Sequence, residues 1–298
     1  MRTSTIILSF ISHLVAILGS SIIRYTLLGI RPNNVGFDCT NISIRHTQKT
    51  ATISNKNLNI FSLIFPICFV SVYEIILFLW SSSQELNWPG YSKTLFPLQL
   101  LKTVAVYFTA FNVQAIIGDL MKLTTGELRP YFIEVCMPNV TCSDPSISSH
   151  FINDYACHGD PANVRDARMS FPSDHAYCMT MAMVYICLYV DNKFYWDAIF
   201  IGKILFQFIL VSLAIFVGIS SRVDNQHHFI DVAVGIILGT ATAFAAVNAT
   251  NLFGQNLIIN QARPSQHSKS TPMHAVNSTG TLDTSISSID YSQSNIMQ

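Results

Sequence analysis

Charge is what this chain has least of. Only 11% of its 298 residues are Asp, Glu, Lys or Arg, against roughly 25% in an ordinary soluble domain. The 17 basic and 17 acidic residues cancel to a formal net charge of zero, so no basic surface is available to recruit nucleic acid. The loops lack the Cys/His spacing that completes a zinc site, so neither a metal nor a cofactor is expected. No internal repeat is present. What the chain has in excess is apolar residues, 50% of the total, with a mean hydropathy of +0.38. That balance suits a bilayer as solvent, where each helix needs roughly 20 apolar residues to cross the hydrocarbon.

Six segments are candidates for spans: Thr3–Ile23, Leu58–Trp80, Thr103–Gly118, Ser173–Val190, Ile201–Ile219 and Val232–Phe253. The second carries one acid, Glu74, and a kink candidate, Pro66. Lys203 lies near the start of the fifth, where its stem can snorkel towards the interface. The first is read as an anchor, because it has no clear small-residue cleavage site and Arg24 follows it directly. The expectation is an all-α, integral membrane bundle of six transmembrane helices over residues 1–253. Residues 254–298 are rich in Ser, Thr, Asn and Gln with little to bury, the composition of a disordered tail.

Orientation follows from two connections. Counting Lys and Arg would put 24–57 and 119–172 in the cytosol. Yet each of them holds an N-glycosylation sequon, at Asn41 and at Asn139. Four of the seven cysteines, Cys39, Cys136, Cys142 and Cys157, lie in the same two loops, which suggests disulfides and an oxidising compartment. Cys68, Cys178 and Cys187 fall in apolar segments and read as packed thiols. These loops are therefore expected outside, with both ends of the chain and the tail cytoplasmic.

Three polar stretches then share the outer side: 122-KLTTGELRP-130, 172-PSDH-175 and 220-SSRVDNQHHFIDVAVG-235. Singly, each has a plain reading, as interfacial anchors or a helix N-cap. Jointly, Lys122, Arg129 and Arg222 supply cations, Ser173 a hydroxyl, and the following helix start unpaired N–H groups, a set that suits phosphate. His175 and one of His227 or His228 supply a nucleophile and a proton donor. Asp231 is four residues beyond His227 and three beyond His228, so helix geometry leaves the choice between them open. Adjacent helical positions point about 100° apart, so one metal would rarely take both histidines.

At these residues the chain resembles the phospholipid phosphatases (lipid phosphate phosphatases) of the type-2 phosphatidic acid phosphatase superfamily. The family pattern K-x6-R-P is met by Lys122, Arg129 and Pro130. P-S-G-H is met by Pro172, Ser173 and His175, with Asp174 in place of glycine. S-R-x5-H-x3-D is met by Ser221, Arg222, His227 and Asp231, with one residue too few after Arg222. The order Arg129-Pro130-Tyr131-Phe132, Cys136, Cys142, Cys157 and Gly159 also resembles the animal enzymes, and Glu127 stands where they often carry arginine.

The resemblance implies a metal-independent phosphatase acting on lipid monophosphates: phosphatidate, lysophosphatidate, sphingosine 1-phosphate and ceramide 1-phosphate. It implies His227 as the nucleophile forming a phosphohistidine, chosen over His228 by the H-x3-D spacing. Asp231 orients it, and His175 protonates the leaving alkoxide. Lys122, Arg129, Ser173, Arg222 and the backbone amide of Asp174 hold the phosphate. The expected location is the plasma membrane, or the ER or Golgi, with the site extracellular or luminal; a homo-oligomer is left open. The alternative is a catalytically impaired interaction or scaffold protein. It rests on Asp174 and the shortened third motif, with the Asp174 side chain turning away towards Arg165 or Arg168 as the arrangement that would spare activity.

Overall fold

The structure is a computed structural model that describes residues 3–83, 96–140, 151–193 and 200–250. The expected tail, 254–298, and the loop cysteine Cys142 lie outside the described residues. All the described residues belong to one compact unit, which extends over Met1–Ala262.

The unit is helical. Its long elements are α1 (Thr3–Leu27), α2 (Asn55–Ser83), α3 (Phe96–Thr125), α6 (Asp174–Lys193), α7 (Phe200–Val223) and α8 (Phe229–Ala249). Short helices α4 (Phe132–Cys136) and α5 (Pro161–Ala167), a 3-10 turn at Ile42–Ile44 and strands β1 (Phe37–Asp38) and β2 (Phe151–Ile152) fill the connections. Pro66 sits inside α2, which continues through it.

Among the described residues, four helical stretches are long and apolar enough to cross a membrane: Asn55–Leu79, Phe96–Thr125, Phe200–Val223 and Phe229–Ala249. The apolar part of α1, Ile11–Leu27, is shorter. Helix α6 is not among them either, for a physical reason. It packs against α2, α3, α7 and α8, and most of its side chains, from His175 to Asn192, are buried. A helix walled by other helices needs complementary packing more than hydrophobicity towards lipid.

The tightest of these contacts runs along α8. Gly235 and Gly239, one turn apart, face α6. A Cβ on Gly235 would stand 2.7 Å from the Ser173 carbonyl, and one on Gly239 would stand 2.5 Å from the Tyr177 carbonyl. Small residues at this spacing let two helix backbones approach, as in membrane helix pairs. The core around α6 is built from Tyr107, Phe111, Met181, Met183, Tyr185 and Tyr189. Glu74 is buried in it but partnered: Tyr189 donates to its Oε1 at 2.7 Å and Lys193 Nζ lies 3.1 Å away. Lys203 pairs with Asp191 at 2.7 Å.

A second core gathers the connecting segments at the end of the bundle that carries the three polar motifs. Phe37, Ile44, Leu128, Tyr131, Phe132 and Ile152 form it. β1 and β2 pair antiparallel, Phe37 opposite Ile152. Cys136 and Cys157 form a disulfide, and Cys39 is disulfide-bonded as well. Cys68, Cys178 and Cys187 are free thiols. At the described positions the loop cysteines are bonded and the helix cysteines are free, but Cys68 is exposed on α2 rather than packed as expected.

Candidate active site

Helix geometry delivers the motif residues to one place. α3 runs beyond the expected apolar stretch, so Lys122 lies in its last turn, 6% exposed. Gly126 then reverses the chain at φ +61°, packed so closely on the Asn33 carbonyl that a side chain would collide with it. This turn sends Leu128 and Arg129 into the second core, where the Arg129 N–H bonds the Ala167 carbonyl at 2.8 Å. Ser173 precedes α6, and its hydroxyl accepts the Ala176 N–H at 3.4 Å, as an N-cap does. His227 sits in the turn between α7 and α8 and is fully buried.

The centre is an anion held by cationic and imidazole groups. The Asp174 carboxylate places Oδ2 3.3 Å from Lys122 Nζ, and Oδ1 3.2 Å from His227 Nε2 and 3.4 Å from His175 Nδ1. Its Oδ1 also accepts the His175 backbone N–H at 3.2 Å. The side chain thus turns inward, away from Arg165 and Arg168. Those two are engaged elsewhere: Arg165 donates to the Leu28 and Ile30 carbonyls at 3.0 and 2.9 Å, and Arg168 lies over the Phe132 and Tyr155 rings. A carboxylate is a smaller relative of a phosphate monoester, so its position marks where an anion is held.

Both imidazoles are fixed from behind. His227 Nδ1 faces the Ser170 carbonyl at 2.8 Å and His175 Nε2 faces the Ile53 carbonyl at 2.8 Å. A carbonyl only accepts, so each of these nitrogens carries the hydrogen. The opposite nitrogens, His227 Nε2 and His175 Nδ1, therefore present lone pairs to the centre when the rings are neutral. Burial lowers the His227 pKa to about 4, despite the opposing pull of Asp174. At neutral pH its Nε2 is an unprotonated, nucleophilic nitrogen.

Asp231 acts one step back. Its Oδ2 lies 3.9 Å from His227 Nδ1, too far for a hydrogen bond. Instead it accepts the Ser170 hydroxyl at 2.5 Å and the His228 N–H at 2.8 Å, capping α8. The ring of His227 bonds the Ser170 backbone, and Ser170 is held by Asp231. Arg129, 2% exposed, donates to Gln226 Oε1 at 2.9 Å and to Asp166 Oδ1 at 3.1 Å. Ser170 and Asp166 lie outside the sequence motifs, and Gln226 occupies an unspecified position within the third. The one signal for Ser170 is its place three residues before Ser173; nothing in the sequence marks Gln226 or Asp166.

Two expected residues stay outside this centre. His228 is the N-cap of α8, and its ring points to Asp231 at 3.4 Å rather than to Lys122 or His175. The geometry thus gathers His227, not His228. Arg222 is exposed in the last turn of α7. Its neighbour Ser221 faces inward, 1% exposed, with Oγ 3.5 Å from Ser173 Oγ. Successive helical positions point about 100° apart, so while α7 continues through Val223 the inward turn of Ser221 carries Arg222 outward. With one residue fewer before His227, no slack remains to bring it back. Of the expected glycosylation sites, Asn41 is exposed and accepts the Ser43 hydroxyl at 2.7 Å, while Asn139 is exposed and accepts the Ala156 N–H at 3.0 Å.

Comparison with known proteins gives the family of the chain. The PAP2 superfamily pattern matches residues 103–255, which include all three motifs. Phospholipid phosphatase 2 of Bos taurus is 30% identical over 269 residues, covering 88% of this chain and 86% of the relative. Phospholipid phosphatase 2 of Homo sapiens is 30% identical over 240 residues, 79% of this chain and 78% of the relative. Phospholipid phosphatase 1 of Mus musculus is 29% identical over 219 residues, covering 71% and 73%. No solved structure matches the chain. The chain belongs to the PAP2 superfamily, and within it to the phosphatases that these relatives represent.

Proposed function

We propose that this membrane protein is a lipid phosphate phosphatase that works through a phosphohistidine on His227 and needs no metal for the reaction. The observation that carries the reading is the Asp174 carboxylate held within 3.4 Å of Lys122, His175 and His227. A group of that charge and place stands in for the phosphate of a substrate. When a lipid phosphate binds, its oxygens take over Lys122, and the carboxylate swings aside. Arg129 and the Ser173 hydroxyl complete the charge and hydrogen-bond shell. Phosphoryl transfer needs mainly positioning and neutralisation of equatorial oxygens, which such a shell supplies.

His227 Nε2 attacks phosphorus in line. The P–O bond to the lipid breaks, and His175, which enters the cycle as the imidazolium with its Nε2–H on the Ile53 carbonyl, gives the alkoxide its proton from Nδ1. Water then attacks the phosphohistidine, His175 takes the water's proton, and His227 leaves with its Nδ1–H still on Ser170. Each histidine returns to its starting form. Burial that keeps His227 neutral supports the nucleophile role. We further propose that all six long helices span the bilayer, with the disulfide-bonded segment and the site on the extracellular or luminal side. The acyl chains would remain in the bilayer while the headgroup reaches the site. Phosphatidate, lysophosphatidate, sphingosine 1-phosphate and ceramide 1-phosphate are the expected substrates, and Asn41 and Asn139 are the expected glycan acceptors.

The test is phosphate release from these four lipids in mixed micelles with excess EDTA. Turnover of at least one, lost in His175→Ala, is expected. A folded protein that releases phosphate from none of them would support the scaffold reading, for which the inward Asp174 and the outward Arg222 are the specific observations.

A further inference from the structure

The connection between the 3-10 turn and α2 runs over the active-site end as a strap. Residues 46–52 are exposed, and 46–51 have no regular secondary structure. Yet three consecutive side chains of the turn between α7 and α8 hold the backbone of this strap. Asn225 Nδ2 donates to the Thr47 carbonyl and Gln226 Nε2 to the Lys49 carbonyl, each at 3.0 Å. Asp224 takes both donors of Thr52, the backbone N–H on Oδ2 at 2.7 Å and the hydroxyl on Oδ1 at 3.0 Å. In return, Lys49 Nζ donates to the Val223 carbonyl at 3.0 Å. Asp224, Asn225 and Gln226 are buried, so these bonds are shielded from water.

The clasp on Thr52 lies one residue from the group that orients His175. The Ile53 carbonyl accepts the His175 Nε2–H at 2.8 Å, and it is the one hydrogen bond that this ring makes among the described residues. On the other side of Ile53, Ser54 starts α2: its hydroxyl accepts the Asn57 N–H at 3.3 Å and its carbonyl the Leu58 N–H at 2.9 Å. The Ile53 side chain packs against the core around α6. The carbonyl therefore sits between two anchored points, and Asp224 supplies the one before it. A carboxylate with both oxygens on the donors of one residue fixes that residue's orientation as well as its position.

We propose that Asp224 is a positioning residue for proton transfer. Through Thr52 it sets the Ile53 carbonyl, and so the direction in which His175 Nδ1 delivers its proton to the leaving alkoxide. The inference rests on the function proposed above. A ring free to pivot carries Nδ1 away from the departing oxygen, and misplacement by ~1 Å can cost about 100-fold in rate. Lys122 reaches the site from α3 and not through this link, so the loss falls on departure of the alcohol rather than on capture of the phosphate.

The experiment uses the full chain in detergent micelles and two substrates. Phosphatidate must lose an alkoxide, which needs a proton. p-Nitrophenyl phosphate loses a nitrophenolate, which needs none. The ratio kcat/KM covers the steps up to departure of the alcohol or phenol and excludes the later attack of water. Asp224→Ala and Thr52→Val should each lower kcat/KM for phosphatidate by about tenfold or more, as expected for hydrogen bonds to a charged group. For p-nitrophenyl phosphate the change should stay within about twofold, since no general acid acts there. Thr52→Ser keeps both donors and should restore most of what Thr52→Val loses. The double variant should be little worse than either single one, because the two side chains make one contact. Cleavage by trypsin after the exposed Lys49 should be faster in Asp224→Ala, whatever the activity. Equal losses on the two substrates, or unchanged turnover of phosphatidate, overturn the positioning role. Unchanged cleavage after Lys49 overturns the clasp itself. If the native chain hydrolyses neither substrate, the phosphatase reading fails and the role in proton transfer with it, while faster cleavage in Asp224→Ala still upholds the clasp.

Discussion

Ser170 links Asp231 to His227. Its hydroxyl donates to Asp231 Oδ2 at 2.5 Å while its carbonyl receives Nδ1–H of His227 at 2.8 Å. The carboxylate therefore orients His227, the proposed nucleophile, through one residue's two ends. Ser170→Ala keeps the carbonyl but frees it to drift. A hydrogen bond to a charged group is worth about 1.5–3 kcal/mol, so kcat should fall roughly 10- to 100-fold with KM little changed. Steady-state kinetics on a lipid phosphate checks this. Equal loss in kcat and gain in KM would point to a collapsed site instead.

Asp174 pairs with Lys122 at 3.3 Å, and in the proposed function it competes with substrate for that lysine. Replacing it with glycine removes the competitor and lets the backbone approach phosphate. Asp174→Gly should raise kcat/KM by about tenfold or more, corresponding to ~1.4 kcal/mol of relieved competition, and should tighten inhibition by inorganic phosphate or vanadate. Weaker phosphate inhibition in the variant would show that the carboxylate helps to build the site rather than filling it.

The approach of α8 to α6 depends on Gly235 and Gly239. Even one methyl group on Gly239 would press on the Tyr177 carbonyl, at 2.5 Å, and on Thr180, at 2.9 Å. Overpacking of this kind costs about 1–3 kcal/mol. Because Ser173 and Asp231 ride on these two helices and meet at 3.0 Å, Gly239→Ala should lower both melting temperature in detergent and kcat. Gly202, with open space where a Cβ would stand, provides the control: Gly202→Ala removes a helix glycine without a clash and should lower neither.

His227 makes stability depend on pH. Unfolded, it binds a proton below its ordinary pKa of about 6.5; folded and buried, it does so only near 4. Between those values the unfolded state holds more protons, so stability falls as pH drops from about 6.5 towards 4. The full effect is on the order of 3 kcal/mol. Melting curves in EDTA from pH 7.5 to 4.5 should show this decline, and His227→Gln should flatten it. An unchanged slope in the variant would assign the decline to other groups.

Much of this is legible in the chain. The apolar runs locate the six long helices of the described residues, four of which hold stretches long and apolar enough to cross a membrane. The motif spacings pick out Lys122, Arg129, Ser173, His175 and His227, which converge in the structure. The loop cysteines announce a disulfide-bonded region. What escapes is direction and partnership. Sequence cannot show that Asp174 turns inward, because that depends on where α3 ends and on the lysine it carries there. Nor can it show that Arg222 faces out, which follows from α7 continuing through Val223. Ser170 escapes because it works through its carbonyl as much as its hydroxyl, and every residue has a carbonyl. The Gly235-x3-Gly239 pair is open to view, yet only the approach of α6 gives it meaning.

Of the two adjacent histidines, His227 alone is assigned the phosphoryl group. The most direct test of that assignment is phosphatidate hydrolysis in excess EDTA by the purified native protein, His227→Ala and His228→Ala. The expected result is activity in the native chain, loss of at least about 1000-fold in His227→Ala, as for removal of a covalent nucleophile, and a far smaller loss in His228→Ala. Activity retained in His227→Ala, or abolished only in His228→Ala, would contradict it.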